Sequence, residues 1–213
     1  MYSKLKLGLV TSLISAPRLH SYTTTFKYIT TFKAANDAEL YNTYIWSQQA
    51  AASLYPLLQH IEISIRNSID IQATKRFGEY WWEKIGCTKI RAESVFYKKI
   101  LSAKTLLETE HKKKHKNSDF PIWSHDQIIA ATDFSAWHFI LKTEFYNSDI
   151  KEKENFLWPL SLSKCFKQYH LIDKKPKIAL KEILNLIHEM REYRNRLFHQ
   201  EPIWLKAPTV TIQ

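Results

Sequence analysis

Glycine is nearly absent, with three residues in a chain of 213. Tight turns at positive φ call for glycine often, so an all-β protein is a poor fit and helices are favoured. Cysteine is scarce as well. Cys87 and Cys165 stand far apart, with no Cys-x-x-Cys or Cys/His ligand spacing. That argues against a disulfide framework and a cysteine-ligated metal, and for free thiols in a reducing cytosol. No apolar run approaches the roughly 20 residues of a membrane-spanning helix. Residues 1–16 place Lys4 and Lys6 before a short apolar stretch, in the manner of a secretory leader. Pro17 directly follows the only suitable cleavage residue, so the stretch reads as the lead-in to a helix, and a cytoplasmic location is expected. Repeats and low-complexity linkers are also missing. One all-α domain is therefore expected over residues 15–205, between a lead-in of residues 1–14 and a tail of residues 206–213.

What remains is ample material for a core. Hydrophobic residues make up 45% of the chain and charged residues 24%, an ordinary balance for a globular protein. Leucine, isoleucine, lysine and glutamate are abundant, which favours helices. The aromatic share of 14%, with seven tryptophans, implies a heavily buried interior or an aromatic-lined interface. Lysine and arginine exceed aspartate and glutamate by 31 − 21 = 10. Such a surplus suits a polyanion, nucleic acid first and an anionic membrane surface second.

Punctuation divides the chain into helices. Ser15-Ala16-Pro17 opens one over residues 17–32. Asn36 to Glu39 resembles a capping box, leading a helical pattern to Phe77 that Pro56 should kink or divide and Gly78 should stop. Further helices are expected over residues 90–111, over 125–142 behind a Ser124 cap, over 161–169, and over 176–200 before Pro202. Residues 57–71 are apolar nearly all round, with Leu57, Leu58, Ile61, Ile63, Ile65, Ile69 and Ile71, so this segment should be central and buried. It nevertheless carries Glu62, Arg66 and Asn67. Glu62 and Arg66, four apart, can pair on one face. Buried polar groups need partners or a cavity, so these three residues either brace a core or line a site.

The last helix ends differently from its apolar stripe of Leu180, Ile183, Leu184, Ile187 and Met190. At about 100° per residue, Asn195 and His199 share a face, with Arg191 and His188 extending the strip. Arg194 lies beside it. These residue types suit RNA cleavage without a metal. The 2′-hydroxyl attacks phosphorus once a base takes its proton, and the departing 5′-oxygen must gain one; histidine does either near neutral pH. A guanidinium can neutralise the charge building on the phosphorane oxygens, and an amide can orient the imidazole. Arginine and histidine at a helix C-terminus are also what the helix dipole favours without any function.

Arg194-Asn195-Arg196-Leu197-Phe198-His199-Gln200-Glu201-Pro202-Ile203 resembles the Arg-Asn-Arg-(Ile/Leu)-x-His-x-Glu-Pro-Ile ending of abortive-infection-like (Abi-like) bacterial proteins. Ala16-Pro17-Arg18-Leu19-x-x-Tyr22 is similar to that family's opening. Leu40-Tyr41-x-x-Tyr44 resembles its Leu-Tyr-x-x-Asn segment, and Ile61-Glu62-x-x-x-Arg66-Asn67 its Leu-Glu-x-x-x-Arg-Asn helix, followed by Phe77-Gly78 and Trp81-Trp82. The resemblance implies a HEPN-superfamily helical bundle, a homodimer in which two motif helices share one cleft, and an endoribonuclease of antiviral defence or toxin type. On that reading Arg194 and His199 are catalytic and Asn195 supports them, while Glu62, Arg66 and Asn67 line or brace the site. An antitoxin or regulatory protein is a possible partner, and a non-catalytic module that binds RNA or protein is the alternative. Gln200 stands where many relatives have a second histidine. Glu201 stands where some HEPN toxins carry a modified tyrosine, so that form of control is not expected.

Other features carry weaker expectations. Lys112, Lys113 and Lys114, with His115 and Lys116, form the densest basic run, which could steer RNA or simply be a solvated helix end. Trp81-Trp82 could stack bases, but packing is the simpler reading. His111, His115 and His125 lack carboxylate or cysteine partners at metal spacing, so neither a metal nor a cofactor is expected.

Overall fold

Helices account for the regular structure of the described residues, in keeping with the composition of the chain. The computed structural model describes residues 37–115 and 119–202, together with Ile14, Ser21 and Tyr22. Among these residues there are six α-helices: α1 (Asp37–Phe77), α2 (Val95–Lys114), α3 (His125–Ala131), α4 (Phe134–Phe139), α5 (Leu162–Cys165) and α6 (Pro176–Phe198). No strand is present among them, only a single bridge between Tyr146 and Trp158. The expected first helix, the lead-in and the tail lie outside the described residues, apart from a helical Ser21-Tyr22. No described helix is long and apolar enough to cross a membrane. The chain packs as two units, one holding residues up to 60 together with those from 189 onwards, the other residues 61–188.

Helix α1 is not divided at Pro56. It stops where glycine allows it to: Gly78 adopts φ 81° and its N–H reaches back to the Thr74 carbonyl at 2.7 Å. The expectation of burial all round residues 57–71 is corrected. Leu58, Ile69 and Ala73 are buried, but Leu57 and Ile71 are 56% and 59% exposed. An unbroken apolar pattern says how much could be buried, not which side meets a neighbour. Buried side chains among the described residues of the first unit include Leu40, Ser47 and Leu58 of α1, Leu197 of α6 and Tyr22.

The second unit is built on aromatic packing. Trp81, Trp82, Phe96, Trp137, Phe145 and Trp158 are each under 2% exposed. Trp81 stacks on Phe96 with centroids 5.6 Å apart and also meets Trp82 and Trp137. Trp81-Trp82 is therefore core and not a platform for bases. Helix α2 lies against α3 and α4. One continuous helix over residues 125–142 is not what forms. The Ser124–Gln127 capping box starts α3, but Thr132 turns extended and the Asp133 side chain accepts from the Ala136 N–H, starting α4 afresh. The expected helix at residues 161–169 is reduced to α5, with a separate 3₁₀ turn at Tyr169–Leu171.

Candidate functional site

The Arg-Asn-x-x-x-His segment occupies the last turn and the cap of α6, in the first unit. Regular helix ends at Phe198. The His199 N–H still bonds the Asn195 carbonyl at 2.9 Å, and Gln200 then turns left-handed at φ 56°. From there Gln200 N–H bonds the Leu197 carbonyl at 3.1 Å and Glu201 N–H the Arg196 carbonyl at 3.0 Å. This pair of backward bonds is the Schellman closure, and it makes His199 the C-cap residue. Pro202 follows, unable to continue the helix.

Each side chain of the segment has a definite setting. His199 is exposed, while Arg194 and Asn195 are half-buried. The Arg194 guanidinium carbon lies 4.6 Å from the Phe198 ring centre, and Phe198 in turn meets Tyr55 of α1 edge-on at 5.0 Å. Guanidinium groups favour such stacking on an aromatic face. The Asn195 main-chain carbonyl accepts the His199 N–H, an ordinary helix bond. Arg191 directs both Nε and Nη2 to Glu192 Oε1, at 3.3 and 3.0 Å. Burial pushes the Tyr193 hydroxyl pKa up, with Arg196 partly opposing it.

Two tyrosines hold the cap from outside. Tyr22 Oη lies 3.0 Å from the Gln200 carbonyl, and Tyr44 Oη lies 3.1 Å from Gln200 Oε1. Sequence reasoning gave Gln200 no role; its signal was only a residue with a long amide placed between a helix end and a proline.

Residues 10–205 of the chain match the Abi-like protein family. The chain belongs to that family. Neither the curated proteins nor the solved structures compared with it gave a match.

The remaining candidate residues of this Abi-like chain lie in the second unit. Glu62 and Arg66 are half-buried and Asn67 is exposed. Arg66 Nε donates to Asn67 Oδ1 at 3.3 Å. Lys112, Lys113 and Lys114 are exposed in the last turn of α2, which runs past the expected end at residue 111. Lys112 Nζ sits 4.8 Å from the Phe120 ring centre. Lys116 lies outside the described residues. Among the described residues no group of three or more His, Cys, Asp or Glu side chains is arranged to hold a metal.

The second unit also contains a polar network that sequence reasoning missed. His125 Nε2 meets Asp70 Oδ1 at 3.0 Å, and its Nδ1 meets Asp126 Oδ1 at 3.1 Å. Trp81 Nε1 donates to Asp70 Oδ1 at 2.7 Å, and Trp82 stacks on the imidazole with centroids 5.3 Å apart. Each carboxylate takes a different ring nitrogen, so the three groups cannot converge on one ion. The network braces the core.

Proposed function

We propose that this Abi-like chain is a HEPN-type endoribonuclease of bacterial antiviral defence or toxin type, cutting RNA by attack of the 2′-hydroxyl on the adjacent phosphorus. His199 moves the protons and Arg194 neutralises the phosphorane, with Asn195 fixing the turn that carries His199. A proton on the 2′-oxygen must leave and one must reach the 5′-oxygen, and two His199 copies in a homodimer would divide those tasks. DNA lacks the attacking group and would be spared. The observation that carries this reading is an exposed imidazole at His199 and a ring-stacked guanidinium at Arg194, both at the C-terminal end of α6, in a chain of the Abi-like family. The exposed Lys112, Lys113 and Lys114 are consistent with a polyanionic substrate.

The test is incubation of purified protein with total RNA in excess EDTA, beside Arg194→Ala and His199→Ala. Cleavage leaving 2′,3′-cyclic phosphate ends, lost in both variants, is expected. RNA binding without cleavage, sensitive to the same variants, would replace the enzyme by a binding module. Absence of both, with variants that only lower the melting temperature, would overturn the reading.

A further inference from the structure

The left-handed turn after α6 is made by a residue poorly suited to it. Positive φ at a helix C′ position is usually taken by glycine, because a Cβ crowds the neighbouring carbonyl there. Gln200 has a Cβ and still adopts φ 56°. Its N–H closes onto the Leu197 carbonyl and the following Glu201 N–H onto that of Arg196, which are cap bonds any residue could make. Its remaining contacts are of another kind. Tyr44 Oη bonds the side-chain oxygen at 3.1 Å from a position 156 residues earlier in the chain. Tyr22 Oη bonds the carbonyl at 3.0 Å and also lies 3.2 Å from Ser47 Oγ. A phenol has one proton, so Tyr22 donates it to the carbonyl and accepts from Ser47. Tyr22 is fully buried, and its ring meets that of Tyr44 edge-on at 5.4 Å. The acceptor on Gln200 is thus gripped at both its amide and its main chain by aromatic side chains packed against each other.

His199 is the residue immediately before this grip. Its backbone is fixed on one side by the bond to Asn195 and on the other by the turn at Gln200. The direction of its Cα–Cβ bond therefore follows the Gln200 conformation. We propose that Tyr44 and Gln200 form a latch that positions the His199 imidazole, making them positioning residues and leaving the chemistry to His199. The inference rests on His199 being the proton-transfer residue. A glycine at position 200 would satisfy the turn alone; the glutamine adds a handle by which Tyr44 sets where the cap sits.

Three variants separate a latch from a plain helix cap. Tyr44→Phe keeps the ring against Tyr22 and removes only the hydroxyl. Gln200→Gly relieves the backbone strain and removes the amide. A double variant combines them. A latch predicts that each single variant lowers kcat about five- to tenfold at little-changed KM, and that the double variant is no worse than either, because both remove the same contact. A plain cap predicts that Gln200→Gly is as active as the parent and at least as heat-stable, and that outcome would overturn the proposal. The ring signals of His199, read by NMR in histidine-labelled free protein and assigned through His199→Ala, decide the matter independently of turnover. One sharp set in the parent that becomes doubled or broadened in Tyr44→Phe and Gln200→Gly supports the latch; an unchanged set refutes it. If the parent cleaves no RNA, the enzymatic reading fails, while these signals still report on the latch.

Discussion

His125 lies between two carboxylates and flat against Trp82, at the edge of the aromatic core. Asp70 carries most of that arrangement, since it also accepts the indole N–H of Trp81. Asp70→Ala would strand the Trp81 indole N–H and leave His125 Nε2 only the 3.5 Å contact with Thr74 Oγ1, and a loss of about 3 kcal/mol is expected in urea unfolding; Asp70→Asn, which keeps an acceptor oxygen, should lose less. Glu62, Arg66 and Asn67 drew attention in the sequence because they interrupt an apolar run. Asp70 interrupts the same run, yet its partner His125 is 55 positions away and no local pattern announces it. The two cysteines, by contrast, were legible as free thiols, and both are free. Burial pushes the Cys165 thiol up to about 12, with the Ser68 hydrogen bond and nearby Arg76 only partly opposing it. Alkylation of Cys165 in the folded protein near pH 8 should therefore run on the order of a thousandfold slower than that of free cysteine. It should quicken as pH rises towards 12 or when urea unfolds the chain. Rapid labelling of Cys165 under native conditions, followed by peptide mapping, would contradict this account.

Helix ends were less legible than helix existence. The Ser124 cap was readable because its glutamine partner stands three residues on. Asp133 was passed over because the apolar pattern continues across it; only the extended turn at Thr132 shows that a new helix starts there. Likewise α6 was expected to reach residue 200. Its actual end at Phe198 makes His199 the cap residue, still joined to Asn195 by a main-chain helix bond. Asp133 offers a test with a defined sign. Burial pushes its carboxyl pKa up, but hydrogen bonds from Lys99 and Ser135, the Lys99 charge and the Ala136 N–H outweigh that and bring it below the ordinary carboxylate value. A group lowered in the folded state stabilises above its unfolded pKa and loses that contribution as pH falls through the folded one. Asp133→Ala should cost about 1 kcal/mol at neutral pH, a typical cap loss. Asp133→Asn should narrow the gap to the parent steadily on acidification from about pH 6 to pH 3, measured by denaturant unfolding. A gap that widens with acid would reverse the assignment.

The all-α character of the chain was legible from three glycines and from helix signals repeated along its length. Its arrangement as two units was not. Tyr22 and Gln200 meet across 178 positions, a separation that no periodicity encodes. The surplus of positive charge belongs to this largest scale too. If RNA is the partner, replacing Lys112, Lys113 and Lys114 by alanine should reduce the slope of log affinity against log salt by up to about 2, at roughly 0.7 per phosphate contact on a single strand. An unchanged slope in a salt titration would show the run to be a solvated helix end. The aromatic packing has a consequence for how folding is watched. Trp81, Trp82, Trp137 and Trp158 are all sealed within residues 61–188, whereas Trp46, in the other unit, is 55% exposed. Emission from the sealed indoles should be blue-shifted and should move to the red only when the second unit opens. A collisional quencher such as acrylamide should reach Trp46 in the intact protein. Trp46→Phe should remove this exposed indole's share of the emission while leaving the four sealed ones, with Trp123 half-buried beside them.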